Sequence, residues 1–168
     1  MNTPQKFYPA VQGLAWHRTQ YYSFFLPMNW HPFVWANGRD GKLFGPDPHD
    51  PATIFAVDLF DLGAPVTAAD LEALAEGFFE GIEHLPAVNI ESRQQTVIGS
   101  VIYLEAQYTF QEQGTLRKRW TRLFYDETRQ ITMTAQGASP EKYHYWLPWF
   151  FEAMMTAKIH RQFPELPE

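Results

Sequence analysis

The stretch from residue 97 to residue 136 constrains the fold more than any other part of the chain. From Ile102 to Phe110 every second residue is apolar (Ile102, Leu104, Ala106, Tyr108, Phe110), with Tyr103, Glu105, Gln107 and Thr109 between them. A period of two puts one row of a strand on a core and the other toward water or a thinner layer. Glu112-Gln113-Gly114-Thr115 is a polar, glycine-containing hairpin turn. The return strand, Leu116 to Asp126, carries Trp120, Leu123, Phe124 and Tyr125 but alternates poorly. Asp126-Glu127-Thr128-Arg129 makes a second turn, and Gln130 to Gln136 alternates again through Ile131, Met133 and Ala135. Short turns force neighbouring strands to be antiparallel, so the expectation is a meander.

A chain of 168 residues that is 45% hydrophobic and 17% aromatic belongs to neither the disordered nor the low-complexity class. Its length suits one domain, 1–168, around a single core, with 1–20 partly irregular and 161–168 a loose tail. A formal charge of −6 argues against a general nucleic-acid binder, which needs a basic surface against phosphate. Cysteine is absent, which excludes disulfides, zinc–thiolate sites and thiol nucleophiles. The N-terminal residues lack a signal-peptide core, and no run approaches the roughly 20 apolar residues of a membrane span. A soluble, cytoplasmic protein is expected.

Around the meander, Tyr21 to Leu26 reads as a strand stopped by Pro27, followed by an aromatic turn at Met28–Phe33. Asn37-Gly38 and Asp40-Gly41 are turn signals between Phe33-Val34-Trp35 and Leu43-Phe44. Pro46, Pro48 and Pro51 dictate a loop. Thr53 to Leu62 is apolar on both faces, as a strand covered on two sides should be. The spacing predicts a helix over Thr67 to Leu85, opened by a Thr67/Asp70 capping box, with Leu71, Leu74, Phe78, Ile82 and Leu85 as its buried stripe. Glu72, Glu76, Glu80 and Glu83 fall opposite and read as a solvated acidic face. Val88 to Thr96 is the strand that enters the meander. Ser139-Pro140 opens a last helix, with Tyr143, Leu147, Phe150, Phe151 and Met154 buried, and Tyr145 and Trp149 on the outer face. Pro148 should kink or split it.

Catalytic, cofactor and metal residues are not assigned. The six histidines are scattered, with no pair four residues apart as a helical zinc motif requires. Asp47, His49 and Asp50 are explained by a proline-spaced surface loop. No serine stands in a nucleophile elbow. Arg117, Lys118, Arg119 and Arg122, interleaved with Trp120, Phe124 and Tyr125, form the basic–aromatic cluster of the chain. Alternation splits it, predicting Trp120 buried and Arg117 and Arg119 exposed. Arg117, Arg119, Arg122, Tyr145 and Trp149 are the expected interaction surface, with an acidic protein partner ahead of nucleic acid. Trp149, on the outer helical face, is expected to add an exposed apolar patch or an oligomer contact.

Tyr22-Ser23-Phe24-Phe25-Leu26-Pro27-Met28-Asn29-Trp30, then the extended 53–62, the helix at 67–85, Thr96-Val97-Ile98-Gly99 leading into the meander, and a closing helix with Phe150-Phe151 and Ala157-Lys158-Ile159 follow one another. This order resembles the PsbP-like family, which takes in the Mog-type nuclear-import factors and the DcrB-like bacterial proteins. The resemblance implies an α+β fold: an antiparallel sheet of six or seven strands with helices on both faces, an α/β/α sandwich. It also implies a non-catalytic, protein-binding, cofactor-free role, since eukaryotic members bind a small GTPase and plant members are extrinsic photosystem II subunits. The expected function is therefore a protein-interaction module. The alternative is a small-molecule-binding or enzymatic α+β domain of the helix-grip or cone-like type, with an aromatic-lined pocket. A closed apolar cavity above roughly 300 Å³ would favour the alternative.

Overall fold

The computed structural model describes residue 9 and residues 11–35 and 41–161. The meander is the centre of it: β7 (Val101–Glu112), β8 (Thr115–Asp126) and β9 (Arg129–Gly137) run antiparallel. Their two-residue links are tight. Gln113 and Gly114 both adopt positive φ, the conformation a primed hairpin turn needs, and Glu127 does the same in the second turn.

Before the meander come β1 (Leu14–Arg18), β2 (Tyr22–Pro27), β3 (His31–Pro32), β4 (Gly41–Gly45), β5 (Ile54–Asp61), α1 (Leu71–Glu83) and β6 (Asn89–Ile98). After it come α2 (Pro140–Thr156) and β10 (Lys158–Ile159). The main sheet is seven-stranded and antiparallel, in the order β3-β4-β5-β9-β8-β7-β6. α1 carries the chain from β5 to the far edge, where β6 starts, and the meander then walks back until β9 docks on β5 over eight paired positions. A second sheet, β1-β2-β10, stands on one face of the first.

Helices cover both faces, as an α+β sandwich requires. On the first face, Tyr143, Phe150, Ala153 and Met154 of α2 pack with Phe24 and Leu26 of β2 and with Phe55, Val57, Tyr103, Trp120, Phe124, Ile131 and Met133 of the main sheet. On the other face, Ala75, Phe79 and Ile82 of α1 pack on Ile102, Leu104, Ala106, Tyr108 and Phe110 of β7 and on Leu123 and Tyr125 of β8. Poor alternation in β8 now has its cause: Trp120 and Phe124 face α2 while Leu123 and Tyr125 face α1, so bulky residues are wanted on both sides.

Local rules set the helix ends. Thr67 and Asp70 form the capping box, with the Thr67 N–H donating to the Asp70 carboxylate at 2.8 Å, and a 3-10 turn (Ala68–Asp70) leads into α1. The Ser139 hydroxyl accepts from the Lys142 N–H at 3.2 Å, and Pro140 occupies the first turn of α2.

Four expectations are corrected. Leu14–Arg18, inside the stretch read as partly irregular, is a strand, because its pairing with β2 supplies what its own pattern lacks. The strand beside β4 starts earlier than residues 33–35, at His31–Pro32, and the Phe33 N–H continues the pairing by donating to the Leu43 carbonyl at 2.8 Å; of the turn signals there, Asn37, Gly38 and Asp40 lie outside the described residues. Pro148 does not split α2, which runs on as one helix because residues on both sides of the proline are anchored in the same core. It stops at Thr156, and Lys158–Ile159 pair with β2 instead of extending it.

Gly137 closes β9 where α2 crosses it. A Cβ there would stand 2.3 Å from the Tyr143 nitrogen and 2.6 Å from its Cα, both backbone atoms of α2. Gly137→Ala is expected to lower stability by about 1–3 kcal/mol or more, read as a reduced urea midpoint. Gly81→Ala, at a helical position with open space around it, should leave the midpoint unchanged or raise it.

Candidate functional site

α2 lies mainly over β8, β9 and β2, and the core beneath it takes in Tyr103 of β7. Between its flank and the uncovered end of the sheet runs a groove of approximately 1100 Å³, open to solvent. Strand alternation delivers Tyr103, Glu105 and Gln107 of β7, Gln94 of β6 and Trp120 of β8 to its floor. Helical spacing delivers His144, Tyr145, Leu147, Pro148, Phe151 and Met155 of α2 to its wall, with Glu141 toward the start of the helix.

The wall is apolar and exposed. Tyr145, Phe151 and Met155 keep 47%, 53% and 49% of their surface in water. At the corner, the Phe151 ring meets Trp120, with centroids 6.4 Å apart. Trp120 is buried, and its indole N–H has no partner among the described residues.

At the floor, Tyr103 and Glu105 are bonded to each other and to Arg122. The Tyr103 hydroxyl donates to the Glu105 carboxylate and accepts from Arg122 Nε at 2.9 Å. Arg122 lies 3.6 Å from Glu105, donates to the Met154 carbonyl of α2, and sits against both the Tyr103 and Phe124 rings, which touch each other. A buried guanidinium satisfied this way ties the helix to the sheet. Burial, and then the hydrogen bond to Glu105, push the Tyr103 phenol up to about 12, so it stays protonated at neutral pH.

No family profile matches the sequence, and no curated protein matches it either. Solved structures do match in shape. The chain superposes on the PsbP protein of Synechocystis sp. PCC 6803 with a TM-score of 0.61 and 11% identity, over 90% of this chain and 95% of that one. LpqN of Mycobacterium tuberculosis, involved in cell envelope biogenesis, gives 0.59 and 10%, over 83% of each. PA94 of Pseudomonas aeruginosa, of unknown function, gives 0.57 and 14%, over 89% of this chain and 99% of that one. The chain has the PsbP-like fold.

Within that PsbP-like fold, the residues singled out from sequence are placed as follows. Trp120 is buried as expected, but Arg117 and Arg119 are half-buried rather than exposed, because β8 is covered on both faces. Arg117 donates to the Ala138 carbonyl and pairs with Glu112 at 3.5 Å; Arg119 donates to Gln136 and stacks on Phe110. Lys118 is buried, paired with Glu91 at 2.8 Å and set over the Tyr143 ring. The basic cluster is thus engaged within the chain, and Arg122 supports the groove from beneath. Tyr145 lines the groove. Trp149 departs from its expected exposed face: it is half-buried against the core and its indole N–H donates to the Pro9 carbonyl at 3.2 Å. Phe151, expected in the buried stripe, takes the outer position. Asp50 accepts from Thr53 and Lys142, tethering its loop to α2.

Tyr103, Glu105 and Gln107 are the second row of the alternating strand. That row was legible as facing away from the first, but nothing in the sequence told that α2 would leave it open.

The raised phenol makes a pH prediction. Tyr103 ionises near 10 when unfolded and near 12 when folded, so its contribution is intact below about 10 and is lost as pH rises toward 12. Tyr125 and Tyr143, also raised by burial, act in the same direction. In urea unfolding at stepped alkaline pH, Tyr103→Phe should therefore lose stability less steeply over that window than the unmodified chain.

Proposed function

We propose that this domain is a non-catalytic protein-interaction module, and that the groove beside α2 receives a segment of its partner. One observation carries the reading: an exposed apolar wall of Tyr145, Phe151 and Met155 stands over a floor in which Tyr103 and Glu105 are already bonded to each other and to Arg122. Tyr103 donates to one neighbour and accepts from another, and Glu105 is held by both Tyr103 and Arg122. Groups engaged in this way orient a surface; they are not poised to take or give a proton at a reacting atom. The size points the same way. Enclosed small-molecule sites occupy about 300–1,000 Å³ and surround their ligand, whereas this groove is large and open along one side. Aromatic and methionine side chains at such a place are the residue types that dominate the centres of interfaces.

Truncating an interface anchor typically costs about 2 kcal/mol or more, roughly thirtyfold in affinity. Affinity capture with the full chain is expected to recover a protein that Phe151→Asp fails to recover, while Leu116→Ala, a change at an exposed site away from the groove, retains it. Native mass spectrometry supplies the contrary outcome: a co-purifying small molecule, lost in Phe151→Asp, would replace this reading with the ligand-binding alternative.

A further inference from the structure

The two edges of the main sheet are unlike. β3 is two residues long and contains Pro32, which blunts that side. β6 is ten residues long and, among the described residues, pairs with β7 on one side only. Its register shifts between Ile90 and Ser92, but from Arg93 to Ile98 the pairing is regular and no proline interrupts it. Such an edge turns alternate backbone N–H and C=O groups outward, where they can template another strand.

Two grooves border this edge from opposite faces. Gln94 lines the groove beside α2. The neighbouring Arg93 and Gln95 line a second groove, of approximately 700 Å³, against α1. That second groove contains Glu72, Glu76, Glu80 and Glu83 around Phe79. Arg93 pairs with Glu83 at 2.6 Å, so four carboxylates meet one guanidinium and, among the described residues, three stay without an ion-pair partner. In the first groove Arg122 offsets Glu105, and Glu141 remains. Successive side chains of a strand point to opposite faces. A strand laid along β6 would therefore send its side chains alternately into an acidic groove and into one with an apolar wall.

We infer that β6 is a strand-addition edge for an extended, basic segment of a partner protein, with basic side chains against Glu72, Glu76 and Glu80 and apolar side chains of the other parity against Tyr145 and Phe151. The inference rests on the protein-binding reading above and adds to it the conformation and charge of what is bound. Main-chain pairing supplies affinity, and the two unlike grooves supply specificity. The charge term steers a basic segment toward a chain of net charge −6 and is weakened by salt.

The test is a display library of random ten-residue peptides screened against the full chain, with the enriched peptides titrated into ¹⁵N-labelled protein. Enriched peptides should alternate basic and apolar residues. The amides of residues 93–98 should shift and gain protection from hydrogen exchange. Glu76→Lys combined with Glu80→Lys, both at exposed positions, should weaken binding at least tenfold, as should raising salt. Peptides that perturb Tyr145 and Phe151 but leave the 93–98 amides unmoved would overturn the edge while preserving the groove reading. Binding that protects 93–98 but ignores Phe151→Asp would sink the groove reading instead. A library without binders overturns the inference. So does protection of 93–98 that grows with protein concentration in the absence of peptide, since a second copy would then be the occupant.

Discussion

The arrangement depends on β8 being covered on both faces. A strand in that position must hide large side chains on two sides at once and must also dispose of every polar group it carries inward. β8 does the first with Trp120 and Phe124 under α2 and Leu123 and Tyr125 under α1. It does much of the second through other elements, since Lys118 reaches Glu91 and Arg122 reaches Tyr103, Glu105 and the Met154 carbonyl, while the Trp120 indole N–H has no partner among the described residues. Of these contacts, those of Arg122 with Tyr103 and Glu105 tie β8 to β7 within the meander.

From that constraint follows the position of α2. Its buried residues Tyr143, Phe150, Ala153 and Met154 seat it over β8 and β9, where Gly137 allows the backbones to meet, and β2 fills the space beyond. Among the described residues that core takes in Tyr103 and Val101 of β7 and no residue of β6. The groove is therefore what remains when one helix and a small second sheet cover a seven-stranded sheet incompletely. Its mixed character comes from two different periodicities meeting: a polar row from an alternating strand and an apolar row from a helix.

Three solved structures share this layering at 10–14% identity. At that distance what is held in common is the packing arrangement. Many combinations of apolar side chains fill a core of given shape and pattern, whereas the residues that line a groove answer only to what binds there. The fold can thus be shared without the site being shared, and function has to be argued from Tyr145, Phe151, Glu105 and the β6 edge of this chain.

The sequence by itself determined what local physics controls. The period of β7, the Gln113-Gly114 turn, the Thr67/Asp70 and Ser139/Pro140 helix starts and the stripe of α1 are each specified within a few residues, and the antiparallel sheet with flanking helices follows from them. Tertiary structure alone decided the rest. α2 is apolar almost all round, so its sequence carries little phase, and only docking put Phe151 outside and Trp149 against the core. The arginines of β8 read as a surface cluster until the second covering layer drew them into internal pairs. β10 forms because β2 offers it a free edge, a pairing too distant along the chain for any local pattern to announce, whereas β1 pairs with β2 across a short turn. The groove has the same origin: it is set by where a helix stops relative to a sheet, and that distance is written in the packing of the whole core.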